Sequence, residues 1–429
     1  MKKILIPVLL SSGLVISPLI FASADSRWTL GSSIQRALQV APEMKVADAA
    51  IGKQQGKLEQ ASAWPNPSVS MQVDETLGLE TSDGGYNVTQ LEISQSLPIR
   101  RLSHQRAQAE AELASAEALR RQQRLALEYK VAQRLHVLQL AQARLQLAKK
   151  RLQQAHQYQH HGSKHDPLIR YLTPLETMRL NIVLQSAKQI ADMAEGKFDE
   201  AAASFKSLLR LPLTDKITLV PLTPVPAIKH FSVLEKSMQQ HPSLEVYKQA
   251  LAASQAGVAV AQSQRLSDPT LSLFRSEEYI ANRRQQSTGI MLSVQIPLWN
   301  QNKGRVTQAR YAVHQAQAEL KIKQRDLRTR LYKSHLHLGH LIGQAEHYRK
   351  KLLKPAQRVF SLTRKGFNAG ELNMLTLIDA NNTYFDVQAR YLELLQQAWL
   401  ELAAVRLSAG ISLLDTHFPN LGMNTGGVK

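Results

Sequence analysis

The sequence predicts a mainly α chain with a small β part, written as two tandem copies of one unit. Three observations carry this: landmarks recur at a spacing of about 200 residues, long stretches lack helix breakers, and four short segments alternate apolar with polar residues.

The repeat is read from paired landmarks. Each half opens on a short helical segment that contains a proline, Ala37 to Val46 and Ser237 to Val246, with Pro42 and Pro242 in matching places. An Ala/Gln/Lys-rich helix follows and stops at a proline-marked turn, Trp64-Pro65-Asn66-Pro67 or Ser267-Asp268-Pro269. Ile93 to Ile99 (ISQSLPI) then answers Leu292 to Leu298 (LSVQIPL), and Leu172 to Thr177 (LTPLET) answers Leu375 to Ala380 (LTLIDA). The halves divide as 25–228 and 229–429.

Long helices are expected near 101–158, 168–211, 307–365 and 372–410. The first has no Pro or Gly, and Val131, Leu138, Leu145 and Leu152 recur every seven residues with Ala141, Ala148 and Ala155 three places on. That is a coiled-coil seam whose small residues let helices approach closely. At 1.5 Å per residue the stretch spans roughly 85 to 90 Å. The third must tolerate Gly339, Gly343 and Pro355. A soluble rod-like bundle would share this pattern.

Strands are expected near 67–74, 86–97, 269–275 and 287–297, with polar hairpin tips at Glu75 to Gly85 and Ser276 to Gln286. Alternation fits a barrel wall between lipid and a wet lumen, and equally a half-buried sheet. Four strands cannot close a membrane barrel, because open edges in lipid leave backbone groups unsatisfied at several kcal/mol each. Copies must pool their strands, and three would give twelve.

The chain opens with Lys2 and Lys3, an apolar run from Ile4 to Phe21 and then Ala22-Ser23-Ala24. This reads as a cleaved secretory leader over 1–24, an uncleaved anchor being the alternative because the run almost spans a bilayer. Cysteine is absent, which excludes disulfides, thiolate nucleophiles and an acylated N-terminal cysteine. The formal charge of +19 suggests an anionic partner. The cations, however, are spread among Gln, Glu and Ala with no aromatic interleaving, so solvated helix faces are expected and no nucleic-acid groove.

Long helical hairpins, two short β-hairpins, tandem halves and an export leader together resemble the TolC family of outer-membrane efflux ducts, over essentially the whole mature chain. Arg364-Lys365-Gly366-Phe367-Asn368-Ala369-Gly370 followed by Leu375 to Ala380 looks like that family's periplasmic hairpin tip, and Ile296 to Gly304 (IPLWNQNKG) like the strand-to-helix junction of its heavy-metal branch. The resemblance implies a homotrimeric outer-membrane duct with four strands per subunit in a shared 12-stranded barrel, set in outer-membrane lipid and continued by a helical tunnel. It also implies a periplasmic adaptor contacting Arg364, Lys365, Gly366, Phe367 and Gly370, and an inner-membrane, proton-driven transporter of the RND type. A gate is expected where relatives carry two carboxylates; here those places hold Thr376 and Asp379, with Glu176 paired to Asp379 in the first half. A carboxylate ring in a narrow entrance would attract cations.

No cofactor is implied, and no nucleophile elbow, phosphate loop or paired-carboxylate constellation suggests an enzyme. Histidines cluster at His156, His160, His161 and His165 and at His335, His337, His340 and His347. Pairs three or four apart, above all His156 with His160 and His337 with His340, share a helix face and form weak metal candidates beside the reading as solvated polar positions. Trp64 and Trp299 lie at strand–helix junctions, as interface anchors or as packing beneath the barrel. The remaining function classes are a type I secretion or drug-efflux duct of the same fold, and a periplasmic coiled-coil structural or adaptor protein.

Overall fold

The computed structural model describes residues 27–74, 88–163, 173–280 and 283–415. The leader (1–24), the first hairpin tip (75–85) and His165 lie outside the described residues, as do the side chains of His160 and His161.

The first half contains α1 (Leu30–Val40), α2 (Pro42–Ser62), β1 (Ser68–Asp74), β2 (Val88–Ser96), α3 (Arg101–Ser163) and α4 (Pro174–Leu209). The second contains α5 (Phe231–Met238), α6 (Pro242–Ser263), β3 (Thr270–Ile280), β4 (Arg283–Ser293), α7 (Lys303–Tyr348), a π turn (Arg349–Leu353), α8 (Lys354–Asn368) and α9 (Met374–Ala409). Pro42 and Pro242 stand at the first position of α2 and α6, where a missing N–H costs nothing. Helices α4 and α9 are both 36 residues long and both end on a left-handed residue, Arg210 and Gly410.

The segment expected as one helix over 307–365 is interrupted at the π turn. Pro355 has no N–H and would clash with the carbonyl four residues back. Widening the preceding turn, with Lys354 N–H bonding to Arg349 O, relieves that conflict without ending the rod.

The four strands form one antiparallel sheet in chain order, β1-β2-β3-β4. Val69, Ile93, Leu273 and Ile290 stand in one row across all four, each about half or more exposed. The neighbouring pairs Met71/Leu91 and Leu271/Leu292 widen this apolar face. The other face is polar: Ser68 and Ser94 hydroxyls meet at 2.7 Å and Ser276 and Ser287 at 2.6 Å. Ser276 to Gln286, expected as a polar tip, is strand over most of its length. Its polar side chains are satisfied across the ladder, as with Arg275 to Gln286 at 2.6 Å, so polarity there does not mark a loop. Beyond Ser293 the alternation continues through Val294 and Ile296 without ladder partners, and Pro297 has no N–H to donate.

Four apolar clusters hold the helices, the smallest being Ala155, Leu184 and Ala187 between α3 and α4. One joins Ile34, Leu135, Leu138 and Phe205 in the first half, a second joins Leu331, Leu338, Leu395 and Val405 in the second, and a third lies at the far end of the rods. The 211–230 connector straps the middle: Trp28 N–H donates to Thr218 O at 2.8 Å, Gln139 to Val220 O at 2.7 Å and Trp399 Nε1 to Thr223 O at 2.7 Å. Glu128, 1% exposed, ties α3 to the chain's last described turn, accepting from Arg124 at 3.1 Å and from Ser412 Oγ and Leu413 N–H at 2.7 Å each.

Under the strap, His136 stacks on Trp399 with ring centroids 5.4 Å apart and shares a 2.8 Å hydrogen bond through Nδ1 with Gln139 Oε1. Because Gln139 spends its amide N–H on Val220, its oxygen accepts and the neutral ring carries its proton on Nδ1. Burial holds the imidazole down at about 4. The unfolded chain therefore binds a proton below pH 6.5 that the folded chain refuses until pH 4. Stability from the neutral ring is complete above pH 6.5 and falls by about 3 kcal/mol as pH drops through this window. Replacing His136 by Phe should reduce the fall in the midpoint of thermal unfolding between pH 6.5 and 4, measured in detergent by circular dichroism, the remainder including buried His241, whose imidazole burial also holds down.

Candidate functional site

The end of the rods opposite the sheet is where the predicted site residues gather. Its core packs Tyr158 of α3 and Leu180 of α4 against Phe360 of α8 and Met374, Leu377 and Ile378 of α9, which fixes the two helical hairpins side by side. Phe360 and Tyr384 stack with centroids 5.4 Å apart. Burial pushes the Tyr158 phenol up to about 12, and the nearby Arg364 guanidinium opposes that shift.

The turn between α8 and α9 is built by glycines. Gly370 takes φ +78°, the left-handed region, and Glu371 N–H bonds back to Gly366 O at 2.9 Å, closing the end of α8. A Cβ on Gly366 would sit 2.8 Å from Leu372 Cδ1, a contact that the partly exposed Leu372 side chain can relieve by moving. Phe367 lies partly buried against the tip core. Arg364 lies over the Phe360 ring at 5.9 Å and Lys365 is exposed. Of the five candidate contact residues, Gly366, Phe367 and Gly370 build the turn and Arg364 and Lys365 present charge.

The two helix starts are capped in the same way. Thr173 caps α4, accepting from Glu176 N–H at 3.3 Å while Glu176 Oε2 accepts from Thr173 N–H at 2.8 Å, a capping box. Asn373 caps α9, its Oδ1 accepting from Thr376 N–H at 2.9 Å and Thr376 Oγ1 at 2.8 Å. Both Glu176 and Thr376 are third helical residues, so the caps pair Glu176 with Thr376 and Asp379 with Arg179. The expected pairing of Glu176 with Asp379 slid the halves by three residues because LTPLET was aligned on its Leu-Thr instead of its cap. Asp379 is exposed and has no ion-pair partner among the described residues.

The sequence reading missed the links that hold α3 to α9 above this end. Arg151 donates to Asn382 Oδ1 at 2.7 Å, reaches Asp386 at 3.4 Å and lies over the Phe385 ring at 5.9 Å. One heptad further, Arg144 pairs with Glu393, which Arg390 also holds at 2.7 Å. Arginines seven apart on one helix and acids seven apart on its antiparallel partner were a readable signal.

Among the described residues the histidines do not assemble. His156 is exposed, His337 Nδ1 meets Glu401 Oε2 at 3.2 Å, and His340 stands exposed on the same helix. Among the described residues no group of three His, Cys, Asp or Glu is placed to hold a metal ion. Trp64 and Trp299 are 60% and 93% exposed, which argues against packing beneath the sheet.

With this geometry in view, the comparison with known families is specific. Residues 33–162 and 233–410 match the family model described as "Outer membrane efflux protein", one stretch in each half. The chain belongs to the outer membrane efflux protein family. Its family and fold are those of outer-membrane channels, which extend into the periplasm and are passive conduits rather than enzymes. It is similar to the cobalt-zinc-cadmium resistance protein CzcC of Cupriavidus metallidurans, 27% identical over 229 residues covering 52% of this chain and 50% of that protein. The match thus spans about half the length of that relative. The fold is similar to CusC (TM-score 0.72, 18% identity, 89% of this chain and 92% of that one). It is also similar to the outer membrane protein VceC of Vibrio cholerae (TM-score 0.70, 16% identity, 90% and 97%). Among the described residues of the channel, no helix is long and apolar enough to cross a membrane.

Replacing Gly370 by Ala should destabilise the tip by roughly 1 kcal/mol, since a Cβ is disfavoured at positive φ. Faster amide hydrogen exchange confined to 364–376 would report it, and unchanged exchange would contradict the strain argument.

Proposed function

We propose that this channel is the outer-membrane component of a tripartite efflux pump, assembled as a homotrimer and exporting heavy-metal cations. The observation that carries the assembly is the sheet. Among the described residues both edges, β1 and β4, are unpaired within the chain while its apolar face is exposed. Lipid tolerates that surface only when other copies pair the edges, and three copies make a barrel of twelve strands.

The metal assignment rests on the likeness to a protein named for cobalt, zinc and cadmium resistance. Cargo selection and energy come from an RND-type transporter in the inner membrane, joined by a periplasmic adaptor docked at the tip, where Arg364 and Lys365 are the available cations. Gating is assigned to the same end. Glu176 is engaged in a cap and Thr376 is neutral, which leaves Asp379 as the carboxylate that three copies bring into a ring. Such a ring attracts cations and repels anions within a Debye length of about 8 Å at physiological salt.

Deleting the gene should sensitise cells to cobalt, zinc or cadmium by several-fold in minimal inhibitory concentration. Sensitivity to organic drugs alone, or failure of protein secretion alone, would overturn the metal reading. For the gate, Asp379→Asn should lower the cation-over-anion permeability of single channels in planar bilayers; an unchanged reversal potential in a salt gradient would remove Asp379 from that role.

A further inference from the structure

Between the tip core and the connector strap, α3 lies against both α4 and α9 while a gap separates those two helices. The gap is a cavity of about 540 Å³, floored by α3 and walled by α4 and α9. That volume falls within the roughly 300 to 1,000 Å³ of pockets that hold small organic molecules. Floor and walls all belong to one chain, so a single copy builds the site.

The sequence explains why the space is not filled. Arg144 reaches Glu393, and Arg151 reaches Asn382 and Asp386, so long side chains span from α3 to α9. Five lining residues are alanine, among them Ala148 on α3, Ala194 on α4 and Ala389 on α9. Side chains that short leave open what the arginines bridge.

The lining is divided by polarity. Leu147 of α3, Ile190 and Met193 of α4 and Phe385 of α9 offer apolar surface to the cavity. Its charged groups are four cations, Arg134, Arg144, Arg151 and Lys197, against two acids, Glu200 and Asp386. Arg144, Arg151 and Asp386 are engaged in the links between α3 and α9. Arg134 and Lys197 are exposed and have no ion-pair partner among the described residues, and Glu200 is the one such acid in the lining. The uncommitted charge is therefore positive on balance. Ile190, Met193 and Lys197 follow one another at spacings of three and four, which keeps them on one face of α4. From Lys197 to Ile190 that face runs about 10 Å. A phospholipid tail occupies about 15 Å, half the hydrocarbon thickness of a bilayer, so the apolar stretch suits a shorter chain.

We propose that this cavity is a binding site for a medium-chain amphiphilic anion, its carboxylate held at Lys197 and its apolar body laid against Met193, Ile190, Leu147 and Phe385. The site lies beyond the conduit role and does not depend on which cargo the channel carries. Pairing the carboxylate with Lys197 places opposite charges together at the rim, while the chain removes apolar surface from water.

Photolabelling tests the assignment. Full-length channel exchanged into amphipol and irradiated with a diazirine-bearing decanoate should carry label on peptides covering 144–151, 190–197 and 385–389. Unlabelled decanoate should compete for that label at a concentration at least fivefold below decanol, the matched neutral amphiphile. Lys197→Glu should lower labelling of these peptides at least fivefold, and Lys197→Arg should keep it. Met193 is 56% exposed, so Met193→Glu leaves the packing intact and should also lower labelling by placing an acid in the chain's path. The exposed apolar face of the sheet takes up any amphiphile and serves as the internal reference, with labelling unchanged in every variant. Label confined to the sheet, or cavity labelling indifferent to both Lys197→Glu and Met193→Glu, would overturn the site. Equal competition by decanol would overturn recognition of the anion.

Discussion

The unpaired backbone of two strand edges is the constraint on which the rest of this channel depends. Each open N–H or C=O facing hydrocarbon costs several kcal/mol, far beyond what the apolar row Val69–Ile93–Leu273–Ile290 could offset if the edges stayed open. A four-stranded sheet with an apolar outer face is therefore an incomplete object. It becomes stable only by repetition, and every helix below it must be compatible with ring closure.

That requirement explains why the chain consists of two similar halves. Each half supplies one β-hairpin and one long helical hairpin, and the capped starts and left-handed ends of α4 and α9 keep the two hairpins level. Two level hairpins per copy yield a quasi-regular wall when copies are added. The interactions between halves are then specialised. Arg151 and Arg144 bind acids on α9, the tip core merges all four rods, and the connector straps the middle through Gln139 and Trp399. Isolated exposed ion pairs contribute little, so the buried contacts of Tyr158, Leu180 and Phe360 carry most of the adhesion at the tip.

Much of this was legible in the residues. The mainly α class with a small sheet followed from periodicity, because long Ala/Leu seams and short alternating runs have no other economical solution. What was misread shows where periodicity fails. Ser276 to Gln286 reads as a hairpin tip only where polarity is equated with a loop, yet a lumen-facing or rim strand is also polar and satisfies itself across the ladder. The π turn was invisible because nothing in Arg349–Leu353 announces it; only Pro355 downstream implies that some carbonyl must move aside. Glu176 was matched to the wrong partner since a cap is defined by a backbone N–H, which composition does not display. His136 escaped notice entirely: a lone histidine within an Ala/Leu/Arg helix resembles a surface position until the strap over it is seen.

The same reasoning separates construction from chemistry at the entrance. Gly366 and Gly370 shape a turn, Asn373 and Thr376 satisfy helix N–H groups, and Glu176 is committed to Thr173. Once these are subtracted, the charged groups at the tip without an ion-pair partner among the described residues are the Asp379 and Glu371 carboxylates and the cationic groups of Lys365, Arg364 and Arg179. Cations end α8, while the acids stand in the turn, at Glu371, and inside the start of α9, at Asp379. Lys365, in the last turn of α8, also follows that helix's dipole. A conduit that performs no chemistry can still discriminate among solutes by the sign of the charge it presents.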